Sequence, residues 1–196
     1  MTTLTQDEIL KFWIRVYLGT TNDKELIGAA IDRAYRDFNR TMHGIGEKQT
    51  IETKKFLSEF MLTVVANLTS KQFRSQVEFD DWHKLKCDEL KKTFIQYPAF
   101  EISYGQAQKW LNMTLKYLFA LGDNIVNGIS TNYIYYHIPI DNIIQDKLLE
   151  KYDIPKFSER WSRIDDYERY LNYQIKVRQT IQNQIPMDIE LRLFNE

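Results

Sequence analysis

Apolar residues recur every three or four positions along most of this chain, and only 7 Gly and 4 Pro interrupt the pattern. Such spacing predicts long helices. Thr5 is placed to cap a first helix with Ile9, Phe12, Trp13, Val16 and Tyr17 on its inner face, ended by Gly19-Thr20-Thr21-Asn22. A second helix is expected from Asn22 or Asp23 to His43, with Leu26, Ile27, Ala30, Ala34 and Phe38 inward and Gly44-Ile45-Gly46 as its stop. A third runs from about Thr50 to Leu68 and carries Phe56, Phe60, Leu62 and Val64. After a polar connection over 69–79, a fourth reaches from about Phe79 to Gln96, amphipathic through Trp82, Leu85, Leu90 and Phe94, and Pro98 breaks it. The fifth, about Tyr104 to Leu121, is the most apolar and reads as central.

Beyond it, 122–132 reads as loop and Tyr133 to His137 as a short extended piece. Pro139 suits the first turn of a sixth helix ending near Tyr152. A last long helix is expected from Ser162 or Asp165 to Gln184, and Pro186 precedes a short helical or frayed tail. No repeat, low-complexity segment or Gly/Ser-rich linker divides the chain. The expectation is one all-α domain over 1–196, with about seven or eight helices.

Composition narrows the function classes. The net charge of −1 supplies no global basic field, so any nucleic-acid contact must come from a local patch. A single cysteine, Cys87, leaves no partner for an internal disulfide and no Cys-based zinc site. That fits a reducing cytosol. Asp7, Glu8, Lys11 and Arg15 interrupt what would otherwise be a secretory leader, and no apolar run is long enough to cross a bilayer. A cytoplasmic protein is expected, with no membrane partner. His43, His83 and His137 lack ligand partners at helical spacing, and no metal or cofactor is implied. Aromatic residues make up 14% of the chain, enough to build a core and also to supply stacking surfaces.

One segment carries candidate chemistry. In Gly105-Gln106-Ala107-Gln108-Lys109-Trp110-Leu111-Asn112, a small-residue turn feeds the most apolar helix, with Lys109 on its first turn. Lys109, Asn112 and Lys116 fall within about 60° of one another on that helix, and Gln106 sits at the edge of the same stripe. Burial favours an uncharged amine, and an uncharged amine is a nucleophile. Asp141, in His137-Ile138-Pro139-Ile140-Asp141, lies 32 positions after Lys109 and is expected in the first turn of the following helix.

Together these two pieces resemble the helix-hairpin-helix DNA glycosylases. Gly105-Gln106-Ala107-Gln108-Lys109 resembles their glycine-bearing hairpin and nucleophilic lysine, and Ile138-Pro139-Ile140-Asp141 resembles their Pro-x-Asp element. The long lysine-to-aspartate interval is closest to the archaeal 8-oxoguanine glycosylase branch. Ala107 stands where the second hairpin glycine is usual, and no four-cysteine cluster is present. The resemblance implies an all-helical glycosylase fold, a DNA partner and excision of an oxidised or modified base. It implies Lys109 as attacking group and Asp141 as its acid–base and electrostatic partner, with Lys109 Nζ expected about 4–7 Å from an Asp141 oxygen. Gln106, Asn112, Tyr117, His137 and Trp161 would hold the substrate, and Lys116 and Arg178 would contact phosphate. Trp110, Tyr117, Tyr135, Tyr136 and Trp161 are candidates to stack on a base.

Two other readings stand beside it. Arg36 and His43, at the end of the second helix, resemble the arginine–histidine motif of HEPN ribonucleases; Arg36 would hold a phosphate and His43 would act on a ribose hydroxyl. A non-catalytic module is the third, with Lys109, Asn112, Lys116 and Arg178 holding an anion such as a nucleotide.

Overall fold

In the computed structural model, which describes residues 3–20 and 22–196, eight α-helices follow one another. They are α1 Gln6–Leu18, α2 Leu26–Asn39, α3 Ile51–Thr69, α4 Gln76–Gln96, α5 Tyr104–Leu121, α6 Asn142–Tyr152, α7 Tyr167–Ile181 and α8 Pro186–Asn195. Short 3-10 turns stand at Asp23–Glu25, Gly46–Lys48, Tyr133–Tyr135 and Trp161–Arg163, and there is no strand among the described residues. Thr21, in the expected stop after the first helix, lies outside them. The all-helical expectation holds.

Helix α5 is the axis of assembly. The Ser103 hydroxyl accepts from Gln106 N, and Gln106 Oε1 accepts from Ser103 N, so two orphan donors at the helix start are satisfied reciprocally. From Gly105 to Lys116 every residue is buried. Around it pack α2, α4, α7 and the Trp161–Arg163 turn. Trp110 stacks on Phe38 of α2 at 5.7 Å and meets Tyr35 and Phe94 edge-on, and its Nε1 donates to Ile31 O at 3.3 Å. The expected inner face of α2 is correct at Leu26, Ala30, Ala34 and Phe38.

Several expectations fail at element edges. Helix α2 ends at Asn39 rather than His43, and α4 begins three residues early because Ser75 caps it. Leu85 of α4 points outward. The piece at Tyr133–Tyr135 is a 3-10 turn, not extended chain. Pro139 lies before the sixth helix, since Asp141 is its cap. Of the two forms expected for the tail, the helical one is observed: α8 starts on Pro186 and buries Met187, Ile189 and Leu193.

The largest difference is α1. Ile9, Phe12, Trp13, Val16 and Tyr17 are all exposed, Trp13 by 60%, and no residue of the helix is buried. Helical periodicity marks a stripe but does not say whether anything lies opposite it. Here the body closes without α1, which touches α2 and reaches α5 through the Tyr17 hydroxyl, 2.9 Å from that of Tyr117.

Gly105 fixes how closely the Trp161 turn approaches α5. A Cβ built there would sit 1.8 Å from the Trp161 carbonyl oxygen, while Gly105 N donates to Ile164 O at 2.8 Å. Backbone against backbone has no room to yield. Gly105→Ala should therefore lower stability by at least about 2 kcal/mol, read as the chemical-denaturation midpoint. Gly28→Ala, in α2 with nothing within 4 Å of its added Cβ, should raise stability by about 0.5–1 kcal/mol in the same assay.

Candidate functional site

Lys109 Nζ donates to Asp141 Oδ2 at 2.6 Å. The contact is tighter than the 4–7 Å expected. Lys109 belongs to the second turn of α5, not the first, because the helix begins at Tyr104; Gly105 to Ala107 are helical rather than a hairpin. Asp141 uses both oxygens: Oδ1 caps α6 by accepting from Ile144 N at 2.9 Å, which leaves Oδ2 for the lysine.

Two glutamines place Asp141. Residues 138–140 cross the interior without belonging to any helix, so their backbone groups need side-chain partners. Gln174 of α7 accepts from Ile138 N at 3.3 Å and donates to Ile138 O at 2.8 Å. Gln108 of α5 accepts from Ile140 N at 3.2 Å and donates to Ile140 O at 3.0 Å. Pro139, between them, has no N–H to satisfy. Each amide thus acts as a short piece of pairing strand, and the segment delivers Asp141 beside Lys109.

The rest of the polar stripe faces inward as well. Lys116 Nζ lies 2.8 and 2.7 Å from the two carboxylate oxygens of Glu190 in α8, with the Phe194 ring 4.4 Å away. Burial holds the Glu190 carboxyl above its ordinary value against the pull of Lys116. Side-chain exposures are 6% for Lys116 and 7% for Glu190, so this pair is sealed and Lys116 is unavailable to phosphate. The Lys109–Asp141 pair differs: its lysine is 6% exposed, but its carboxylate is 26% exposed.

Arg178 and His137, expected to touch substrate, belong to a buried network instead. Arg178 Nη2 donates to Asp80 Oδ2 at 2.8 Å, and His137 Nε2 donates to Asp80 Oδ1 at 2.7 Å. Tyr170 accepts from Asn112 and Gln174, so its hydroxyl proton goes to His137 Nδ1 at 2.9 Å. Asn112 Oδ1 accepts from His83 Nε2 at 2.9 Å. Nε2 therefore carries a proton in both imidazoles, and the Nδ1 of His137 is an acceptor. Burial pushes His83 well below the ordinary histidine value and lowers His137, the latter against the pull of Asp80. Burial pushes the Asp80 carboxyl up, but its contacts with His137, Gln76 and Arg178 bring it below its usual range. Asn112 holds this network together and makes no contact with solvent. Gln106 is spent on the α5 cap and on Thr41 O, at 2.9 Å.

The open side of Lys109–Asp141 faces a hollow of about 610 Å³ between α2, α5, the Asp141–Ile143 turn and the Trp161 turn. Tyr117 and Trp161 line it; Trp110 and Tyr136 are wholly in the core. Its wall also carries Arg33, Arg40 and Arg160, which sequence reasoning missed. The signal for two of them was present: Arg33, Asp37 and Arg40 fall at i, i+4 and i+7 on one face of α2. Asp37 accepts from the Tyr117 hydroxyl at 2.5 Å and faces Arg33 and Arg40 at 3.8 and 4.0 Å. Arg36 is exposed on α2 and His43 is exposed in the turn beyond its end, with no hydrogen bond joining them. Among the described residues no His/Cys/Asp/Glu cluster suits a metal, and no helix is long and apolar enough to cross a membrane. Comparison of the chain with protein-family models, curated proteins and solved structures gave no match.

Removing the Gln108 amide would orphan both backbone groups of Ile140. Gln108→Leu should cost about 2–6 kcal/mol, from about 1–3 for each of the two buried groups left unpaired, seen as a lower denaturation midpoint. The histidines set an acid limit. Their folded-state values lie below the unfolded value of 6.5, so the unfolded chain binds more protons as pH falls through that value. Stability should be full above pH 7 and fall below about 6.5, by up to about 1.4 kcal/mol per pH unit for each histidine. The Asp80 contribution follows below about pH 4. Denaturation midpoints from pH 8 to about 2.5 check this, with a shallower fall between pH 7 and 5 in His137→Gln.

Proposed function

We propose that this protein excises an oxidised or modified base from DNA, with Lys109 as nucleophile and Asp141 as its proton-transfer and electrostatic partner. The observation that carries the reading is the placement of a lysine–carboxylate contact, 2.6 Å long, at the floor of a hollow with a cationic wall. A volume of about 610 Å³ suits a nucleotide turned out of the duplex, and chemistry on a stacked base requires such extrusion. Trp161 and Tyr117 offer the aromatic surfaces against which a base would lie.

The chemistry follows from the pair. Lys109 passes a proton to Asp141 and attacks the sugar C1′. The C1′–N bond breaks, its electron pair leaves with the base, and the proton held by Asp141 is returned to that base. Once its proton has gone to the base, Asp141 is again a carboxylate and stands beside the positively charged sugar–lysine adduct. A proton passes from the adduct nitrogen to O4′, the C1′–O4′ bond breaks and a Schiff base is left between Lys109 and C1′; removal of the C2′ proton then expels the 3′ phosphate and cuts the strand.

Borohydride reduction tests this directly. Wild-type protein with duplex DNA containing an abasic site should yield a covalent adduct on denaturing gels. Lys109→Gln should give none. Asp141→Asn keeps a good helix cap and should slow trapping by about 10²–10⁴-fold. Absence of a wild-type adduct on abasic, 8-oxoguanine and other modified duplexes would defeat the proposal.

A further inference from the structure

The expected phosphate contacts are both engaged in ion pairs, Lys116 with Glu190 in the interior and the half-buried Arg178 with Asp80. A nucleic-acid ligand would therefore need other cations. The hollow over Lys109–Asp141 has Arg33 and Arg40 on its α2 side and Arg160 at the Trp161 turn. A second hollow of about 480 Å³ adjoins it, and the two share Asn142 and Arg160. Its wall adds Arg163 and Lys156. Lys156 is paired with Asp146 at 2.5 Å, and Glu159 on the same wall is paired with Arg169 at 2.7 Å. Among the described residues Arg160 and Arg163 form no ion pair, and Arg40, 78% exposed, meets Asp37 alone, at 4.0 Å. On a chain with a net charge of −1, these arginines are gathered along one continuous depression.

We infer that Arg40, Arg160 and Arg163, continued by Arg33, form a phosphate track on which a nucleic-acid strand lies across the Lys109–Asp141 hollow. A compact anion needs cations converging on one point, whereas these are spread over two connected hollows, as a polyanion requires. Arginine suits the task because its planar fork bonds phosphate oxygens two at a time. Arg33 is also held against the Tyr17 ring at 4.4 Å and near Asp37, so it has a structural role besides. The track rests on the nucleic-acid part of the proposed function, not on its covalent step.

The test is fluorescence anisotropy of a labelled abasic-site duplex with the full chain, over a series of NaCl concentrations. Arg40→Gln, Arg160→Gln and Arg163→Gln should each weaken binding several-fold and lower the slope of log affinity against log salt by about one. The triple variant should lose at least about tenfold in affinity, while Lys92→Gln, on the exposed face of α4, should change neither quantity. Circular-dichroism melting of each variant shows whether the fold is kept. Wild-type affinity and slope in the folded triple variant would overturn the track, as would absence of wild-type binding. If the triple variant binds normally and borohydride still traps Lys109, the track fails and base excision stands. If binding follows the arginines but nothing is trapped, the track stands and base excision fails. Displacement of the duplex by micromolar inorganic phosphate or a nucleoside monophosphate would mean a small-anion pocket and would also overturn it.

Discussion

Residues 138–140 cross the interior of an all-helical protein outside any helix, and among the described residues no strand is present to take their hydrogen bonds. The arrangement holds because Gln108 and Gln174 each offer one acceptor and one donor in the spacing that a strand would offer. Leaving those four backbone groups unpaired would cost several kcal/mol, comparable with the whole stability of a domain. The two amides therefore tie α5 and α7 to the segment between them. Asp141 emerges from that segment at a defined height along α5, opposite Lys109, and starts α6 with its other oxygen. Site geometry and fold stability share the same bonds.

Enclosure of α5 imposes a second condition. A helix buried on every side and bearing Lys109, Asn112 and Lys116 must find a partner for each polar head. The partners come from distant parts of the chain: Asp141 at the start of α6, His83 of α4 with Tyr170 of α7, and Glu190 of α8. Four helices are thereby keyed to one stripe. Replacing such groups by apolar ones of similar shape is often tolerated, but removing one partner alone leaves a buried charge or donor unanswered. The stripe thus specifies which helix goes where, beyond what area burial alone would decide.

How much of this was legible in the sequence follows the range of each interaction. The span of α5 and its central position were legible because its apolar content is local. Lys109 and Asp141 were legible because each sits in a short pattern with a local consequence. Gly105 was noticed for the wrong reason: its role is to admit the Trp161 backbone, not to form a hairpin. The pairing of Lys116 with Glu190 was not legible, since nothing near either residue announces a partner 74 positions away. Nor was the Asp80–His137–Arg178 network, whose members look like ordinary polar residues on α4, on the segment before α6 and on α7. The apolar stripe of α1 was read correctly as a pattern and wrongly as a buried face, because burial depends on what the other helices leave open.

Two lysine–carboxylate pairs lie about two turns apart on the same helix, and the contrast between them decides where chemistry can occur. Both lysines are almost completely buried, so accessibility of the amine alone does not separate them. The carboxylates do. Glu190 is buried against Lys116, with a side-chain exposure of 7%. Asp141 stands at the edge of a hollow, a quarter exposed, beside Trp161 and within a wall of arginines. Under the proposed function, a substrate entering there would meet the carboxylate first and displace it from Lys109 without disturbing the helix cap, which uses the other oxygen. The sealed pair offers no such opening. That difference in exposure, more than the presence of a lysine beside an aspartate, is what directs the functional reading to Lys109.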